Sequence, residues 1–185
     1  MNSLERPAVL VTGRPGIGKT TAIMRALDLL DLPACGFYTR EVRDGGGRIG
    51  FEIITLSGEI ALLATKLPEK RFAREARLGT YRINVGAVDE VAVPALQEAV
   101  AGGKLVVVDE IGPMELFSPV FRSVVLQILD SDVPLLGAVM QRSHPFSDVV
   151  KRHKRVHLIT VTHQNRDKVP AQAAALLVGA GNPGP

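Results

Sequence analysis

Gly13-Arg14-Pro15-Gly16-Ile17-Gly18-Lys19-Thr20 is the stretch on which the reading of this chain turns. It matches G-x-x-x-x-G-K-[ST], a loop whose glycines let successive backbone N–H groups turn inward around an anion while a lysine supplies a point charge for the outer phosphates. The pattern carries weight only between a strand and a helix. Ala8, Val9, Leu10, Val11 and Thr12 precede it as a buried strand, and Ala22, Ile23, Ala26, Leu27 and Leu30 follow at helical spacing. An ordinary glycine turn would have neither flank. Nucleotide chemistry is the expectation, with Lys19 on the outer phosphates and the Thr20 hydroxyl on a magnesium ion.

A companion segment lies further along. Leu105, Val106, Val107 and Val108 form a continuous apolar run, the mark of a strand covered on both faces, and it ends in Asp109 and Glu110. Asp109 would hold a magnesium-bound water beside Thr20, because magnesium prefers octahedral oxygen coordination and keeps several waters. Glu110 would face the terminal phosphate, where a carboxylate can orient and deprotonate a water for in-line attack. Such a group suits a hydrolase, since a kinase gains nothing from activating water. The structural alternative is that Glu110 only caps the following turn.

Working outward, the pattern predicts a helix over 21–30, then an antiparallel hairpin in which 36–43 and 48–56 flank the turn Asp44-Gly45-Gly46-Gly47. A short strand is expected at 60–64, a charged, irregular and mobile stretch at 66–80, and a strand at 81–85. The stripe Val88, Val91, Ala92, Ala95, Leu96, Ala99 predicts a helix ending at Gly102 and Gly103. Ser118 and Pro119 open another as N-cap and first helical residue. Strands at 134–140 and 156–161, a helix within 141–155 and a last helix reaching about residue 178 complete the pattern. Buried strands alternating with helices imply a mostly parallel sheet wound on both sides, with the hairpin as an antiparallel addition. In such sheets the ligand lies beyond the carboxyl ends of the strands. The expected organisation is one domain over 1–178 and a flexible Gly/Pro tail over 179–185.

With 185 residues, 46% of them hydrophobic and no Trp, Val, Leu, Ile and Ala must fill the core. The lone Cys35 excludes an intramolecular disulfide and points to a reducing compartment; it reads as a small buried hydrophobe rather than a nucleophile. No secretion signal and no run of 18 apolar residues is visible, so the expectation is a soluble cytoplasmic protein, a monomer by preference, with no membrane partner. A net charge of +3 is too weak to argue for a nucleic-acid partner. Lys151, Arg152, His153, Lys154 and Arg155 read as a solvated helix end rather than a polyanion patch.

Three matters stay open in the residues. Arg40, Arg43, Arg48, Arg142, Arg152 and Arg166 are all candidates for an arginine that stabilises transition-state charge, and nothing local chooses among them. Thr162-His163-Gln164-Asn165-Arg166-Asp167 fails the Asn-Lys-x-Asp pattern of guanine readers, so Asn165 reads as a helix N-cap and no sharp base filter is present. His144 could sit by the site, although a lone loop histidine is usually structural.

The residues resemble the THEP1-type nucleoside-triphosphatases, a family with a human cancer-related member. The resemblance spans nearly the whole chain: GRPGIGKT at 13–20, GFYTREVR at 36–43, RIGF at 48–51, DEIGPMELFS at 109–118, His144-Pro145 and Asn165-Arg166. It implies a three-layer, RecA-like P-loop NTPase fold and magnesium-dependent hydrolysis of ATP, GTP, CTP, UTP and TTP, slow and with little base preference. It assigns nucleotide contact to Gly13, Arg14, Pro15, Gly16, Ile17, Gly18, Lys19 and Thr20, and to a second segment of Leu105, Val106, Val107, Val108, Asp109, Glu110, Ile111 and Gly112. Pro113 departs from it, standing where the family usually has lysine. Two other readings compete: a P-loop kinase with 141–155 as a lid over its acceptor, and a nucleotide-gated nucleic-acid-binding module.

Overall fold

Strand β7 (Leu105–Ile111) runs through the middle of the molecule, and its side chains alternate between two cores. Val106 and Val108 join one, Leu105 and Val107 the other, and all four are at most 2% exposed. The structure, a computed structural model, describes residues 6–179. Its sheet has nine strands in the order β5-β6-β4-β3-β2-β7-β8-β1-β9. β1 (Ala8–Thr12), β2 (Ala34–Asp44), β7, β8 (Leu135–Val139) and β9 (Val156–Thr160) pair in parallel.

Helices cover both faces, as crossovers between parallel strands require. α1 (Lys19–Asp28) and α6 (Val169–Gly179) bury Ala22, Ile23, Ala26, Ala173 and Leu177 against Val9, Val11 and Val107 on one side. The other side carries α2 (Val85–Ala87), a wider π turn (Val88–Ala92), α3 (Val93–Ala101), α4 (Pro119–Asp130) and α5 (Pro145–Lys151). Pro94 has no N–H to give the carbonyl of Glu90, so the widened turn sits just before it. Ser118 caps α4 as its position suggests: its Oγ accepts from the Phe121 N–H at 2.9 Å. No helix among the described residues is long and apolar enough to cross a membrane.

The antiparallel addition is larger than a hairpin. β3 (Gly47–Thr55), β4 (Ile60–Thr65), β6 (Tyr81–Asn84) and β5 (Glu75–Leu78) extend the sheet in turn. The reading of 66–80 as irregular therefore fails from Glu75 onward, because β5 gains order from pairing with β6 rather than from its own apolar content. The β2–β3 turn closes with Asp44 opposite Gly47 and φ of 54° and 84° at Gly45 and Gly46, the left-handed pair that tight hairpins favour. Of the segment expected to be a tail, Gly179 closes α6, and residues 180–185 lie outside the described residues.

This arrangement sets the site. Pairing between β2 and β7 ends with Tyr38 opposite Asp109, yet β2 continues through 39–44. The overhanging hairpin stands as a wall beside the carboxyl edge of the parallel strands. Gly36 lets β2 lie close to β7 at φ 137°, since a β-carbon there would fall 2.0 Å from the Val107 carbonyl oxygen.

Candidate active site

The loop 13–20 leaves β1 and enters α1 at that edge. Gly16 and Gly18 take φ of 76° and 107°, conformations that L side chains rarely adopt. A β-carbon at Gly13 would fall 2.8 Å from the Val161 carbonyl oxygen. Helix α1 begins at Lys19 with no acidic residue in its first turn, so its leading N–H groups and the positive end of its dipole face the loop without an internal counter-charge. That is the physical basis of an anion site.

Opposite the loop, β7 delivers its acids. Lys19 Nζ donates to the Gly13 carbonyl at 3.2 Å and lies 3.2 Å from Glu110 Oε2. Asp109 is buried, at 1% exposure, and its pKa is pushed up to about 6 by desolvation, against which the Thr20 hydroxyl beside it works. Its Oδ2 is buried without a hydrogen-bond partner. Leaving an ionised carboxylate oxygen in that state is costly, so the atom fits a bound cation. No group of three or more His, Cys, Asp or Glu side chains among the described residues could hold a metal alone. One carboxylate and one hydroxyl, completed by phosphate and water oxygens, is instead the donor set suited to magnesium.

A cavity of about 420 Å³ joins these groups. Lys19, Thr20, Asp109 and Glu110 line it together with Pro15, Gly16 and Gly18 of the loop. The overhanging hairpin supplies its far wall, with Thr39, Glu41, Arg48 and Phe51, and Pro113 also borders it. A second cavity, of about 430 Å³, lies on the other flank of the loop between Arg14, Pro15 and Ile17 and the residues after β9, Thr162 and His163.

Glu115 is the residue that sequence reasoning passed over. It lines the first cavity at 4% exposure, and burial, then the charge of Glu110, pushes its pKa up to about 8. Gly112 makes room for both carboxyl groups: a β-carbon there would fall 2.9 Å from Glu110 Oε1 and 3.0 Å from Glu115 Oε2. The only local signal was its place in DEIGPMELFS; the burial that perturbs it comes from the tertiary fold.

Several expected residues sit elsewhere. Leu105, Val106, Val107 and Val108 of the second segment point into the two cores, as does Ile111, so they position the acids and what reaches the cavity begins at Asp109. Asn165 does not cap α6, which begins at Val169. It braces the loop after β9, its Oδ1 accepting from Thr162 N–H at 2.7 Å and its Nδ2 donating to the Thr160 carbonyl at 2.8 Å. His144 caps α5 through Nδ1, which accepts from the Phe146 N–H. The 151–155 cluster is not simply a solvated end, because Arg155 is 5% exposed and its guanidinium donates to the carbonyls of Arg6, Ile128, Leu129, Ser131 and Val133. Cys35 is only half-buried and polar in its contacts, with Sγ 3.3 Å from both Lys104 Nζ and Glu98 Oε1.

Comparison with known proteins places this geometry. The profile of a family described as NTPase matches residues 8–174. The chain is 42% identical over 162 residues to the nucleoside-triphosphatase THEP1 of Thermotoga petrophila, covering 87% of each chain. Among solved structures it resembles THEP1 of Aquifex aeolicus, with a TM-score of 0.82 and 35% identity, covering 92% of this chain and 98% of that one. It also resembles a human cancer-related nucleoside triphosphatase, with a TM-score of 0.78 and 35% identity, covering 95% and 99%. A phosphate loop facing paired acids across one cavity, on a sheet that superimposes on these structures, makes the chain a member of the THEP1 nucleoside-triphosphatase family, with its P-loop NTPase fold.

Proposed function

We propose that this enzyme hydrolyses nucleoside triphosphates to the diphosphate and phosphate by attack of a water held by Glu110. The observation that carries the reading is that Lys19, Thr20, Asp109 and Glu110 line a single cavity at the carboxyl edge of the sheet. Residues 13–20 would bind the phosphates through backbone N–H groups, with Lys19 on the outermost. Thr20 and Asp109 would hold magnesium, which would supply charge neutralisation to the phosphates and needs no dedicated protein cage. Lys19 would then leave Glu110 for the phosphate, freeing that carboxylate to accept a hydrogen bond, and finally a proton, from the attacking water.

The nucleoside would occupy the second cavity. Gln141, Thr162 and His163 line it beside Arg14, but no acidic side chain does, so the carboxylate that would single out the N–H donors of guanine is missing from its lining. ATP, GTP, CTP, UTP and TTP are the proposed substrates, turned over slowly. The 141–155 segment argues against a hinged kinase lid: Val150 is fully buried in the core, and Arg155 donates to the carbonyls of Arg6, Ile128 and Leu129, tying the segment to the domain.

The test is phosphate release from each magnesium triphosphate with no acceptor present. Release from all five, with kcat/KM values within about tenfold, is expected; the discrimination a hydrogen-bonding base filter gives is far larger. No release until an acceptor is added would transfer the assignment to the kinase.

A further inference from the structure

Six arginines were open as partners of the terminal phosphate, and the fold separates them. Arg40 pairs with Glu52 at 2.8 Å, Arg43 with Glu41 at 2.6 Å, and Arg152 donates through Nε to the Asp148 carbonyl. Among those six, Arg48 alone lines the cavity that holds Lys19, Thr20, Asp109 and Glu110. The β2 overhang brings it there, because the hairpin carries it past the end of β7.

Arg48 is also held in advance. Its Nη1 donates to Glu41 Oε1 at 2.8 Å and its Nε to the Tyr81 hydroxyl at 2.8 Å, while its guanidinium carbon lies 5.0 Å from the centre of the Phe51 ring. Glu41 and Phe51 face each other across β2 and β3 and line the same cavity. Contacts on three strands hold the guanidinium at Nε, Nη1 and its face, and Nη2 is left without a hydrogen-bond partner among the described residues. A planar guanidinium anchored at two of its nitrogens on the wall of such a cavity is a setting in which arginine serves better than lysine. An electrostatic group contributes most to rate when it needs no reorganisation as charge develops.

We infer that Arg48 is the catalytic arginine supplied in cis, meeting the terminal phosphoryl oxygens through Nη2 as the bond to the leaving diphosphate breaks, with Glu41 and Tyr81 as its positioning residues. This rests on the hydrolase reading above. It adds a named group to that reading and predicts a contact made chiefly in the transition state. Arg48→Ala therefore loses rate and leaves ground-state binding in place.

The experiment compares wild type, Arg48→Ala, Arg48→Lys and Tyr81→Phe in three measurements. These are phosphate release from Mg-ATP, the affinity for the β,γ-imido analogue of ATP, and the affinity for Mg-ADP with aluminium fluoride, which imitates the transferring phosphoryl group. Arg48→Ala is expected to lower kcat by about a thousandfold or more, the lower end of what such arginines contribute. Its affinity for the imido analogue, which also reports a folded site, stays within about fivefold, while the tight uptake of the fluoroaluminate complex is lost. Arg48→Lys does not restore it, and Tyr81→Phe loses about tenfold in kcat alone. A kcat within tenfold of wild type in Arg48→Ala would overturn the inference, and so would parallel loss of both affinities. If wild type binds the fluoroaluminate complex tightly but releases no phosphate, the hydrolase reading fails, and the affinity comparison still decides Arg48. If wild type binds that complex no better than Mg-ADP, both fall.

Discussion

Lys19 Nζ lies 3.2 Å from Glu110 Oε2, so the cation proposed for the phosphate is paired with the carboxylate proposed for the water. The pair holds each partner in place, and on the proposed reading an incoming triphosphate would compete with Glu110 for the lysine. Lys19→Ala removes the charged donor and leaves Glu110 facing the phosphates. We expect triphosphate affinity to fall by roughly 10- to 150-fold, the scale of one charge-assisted hydrogen bond. Calorimetric titration with the imido analogue reads this directly; unchanged affinity would remove Lys19 from the phosphate.

The cation assignment rests on the orphaned Oδ2 of Asp109. Asp109→Asn should keep the side-chain volume and abolish the magnesium dependence of triphosphate binding. Wild-type affinity should rise with magnesium concentration, and the variant's should stay flat. A variant that still responds to magnesium as wild type does would place the ion elsewhere.

Acid–base behaviour follows from the same burial. Asp109 is raised from an ordinary value of 3.8 to about 6 and Glu115 from 4.5 to about 8, desolvation being the leading cause for both. The folded state therefore binds more protons than the unfolded state between those limits. Stability contributed by the neutral acids is fully present below about pH 4 and is lost as pH rises through 6 and then 8. Chemical denaturation without magnesium or nucleotide should show stability falling across that range, and Glu115→Gln should flatten the portion between pH 6 and 8. Stability that climbs from pH 5 to 8 in wild type would contradict this.

Arg155 stands far from the chemistry. Its guanidinium collects the Ile128, Leu129 and Ser131 carbonyls at the end of α4 and the Val133 carbonyl just before β8. Arg155→Met leaves those acceptors buried without a donor. We expect a loss of about 2–5 kcal/mol in urea denaturation, with kcat close to wild type at temperatures where the variant is folded. A loss under 1 kcal/mol would mean the carbonyls find other donors.

What was legible in the chain was what local pattern carries. The loop 13–20 declared itself through glycines at fixed spacing, and β7 through an apolar run ending in two acids. Ser118-Pro119 announced α4 because a cap is a local hydrogen bond. What escaped depended on distant partners. β5 lies in a charged stretch and is a strand because β6 lies beside it. Arg155 looked solvated inside a basic run, yet carbonyls more than twenty residues away draw it inward. Arg48 could not be told from five other arginines until β2 was seen to outrun β7, and Glu115 gained meaning only when Gly112 brought it against Glu110.

Glu110 as the group that handles the water is the claim on which the rest hangs, and Glu110→Gln tests it most directly. The substitution keeps the shape and removes the base, so single-turnover measurement with saturating Mg-ATP isolates the chemical step. Binding of the imido analogue is expected within a few fold of wild type and the hydrolysis rate lower by roughly 10²- to 10⁴-fold, the contribution general-base catalysis makes. A single-turnover rate within a few fold of wild type would contradict the claim.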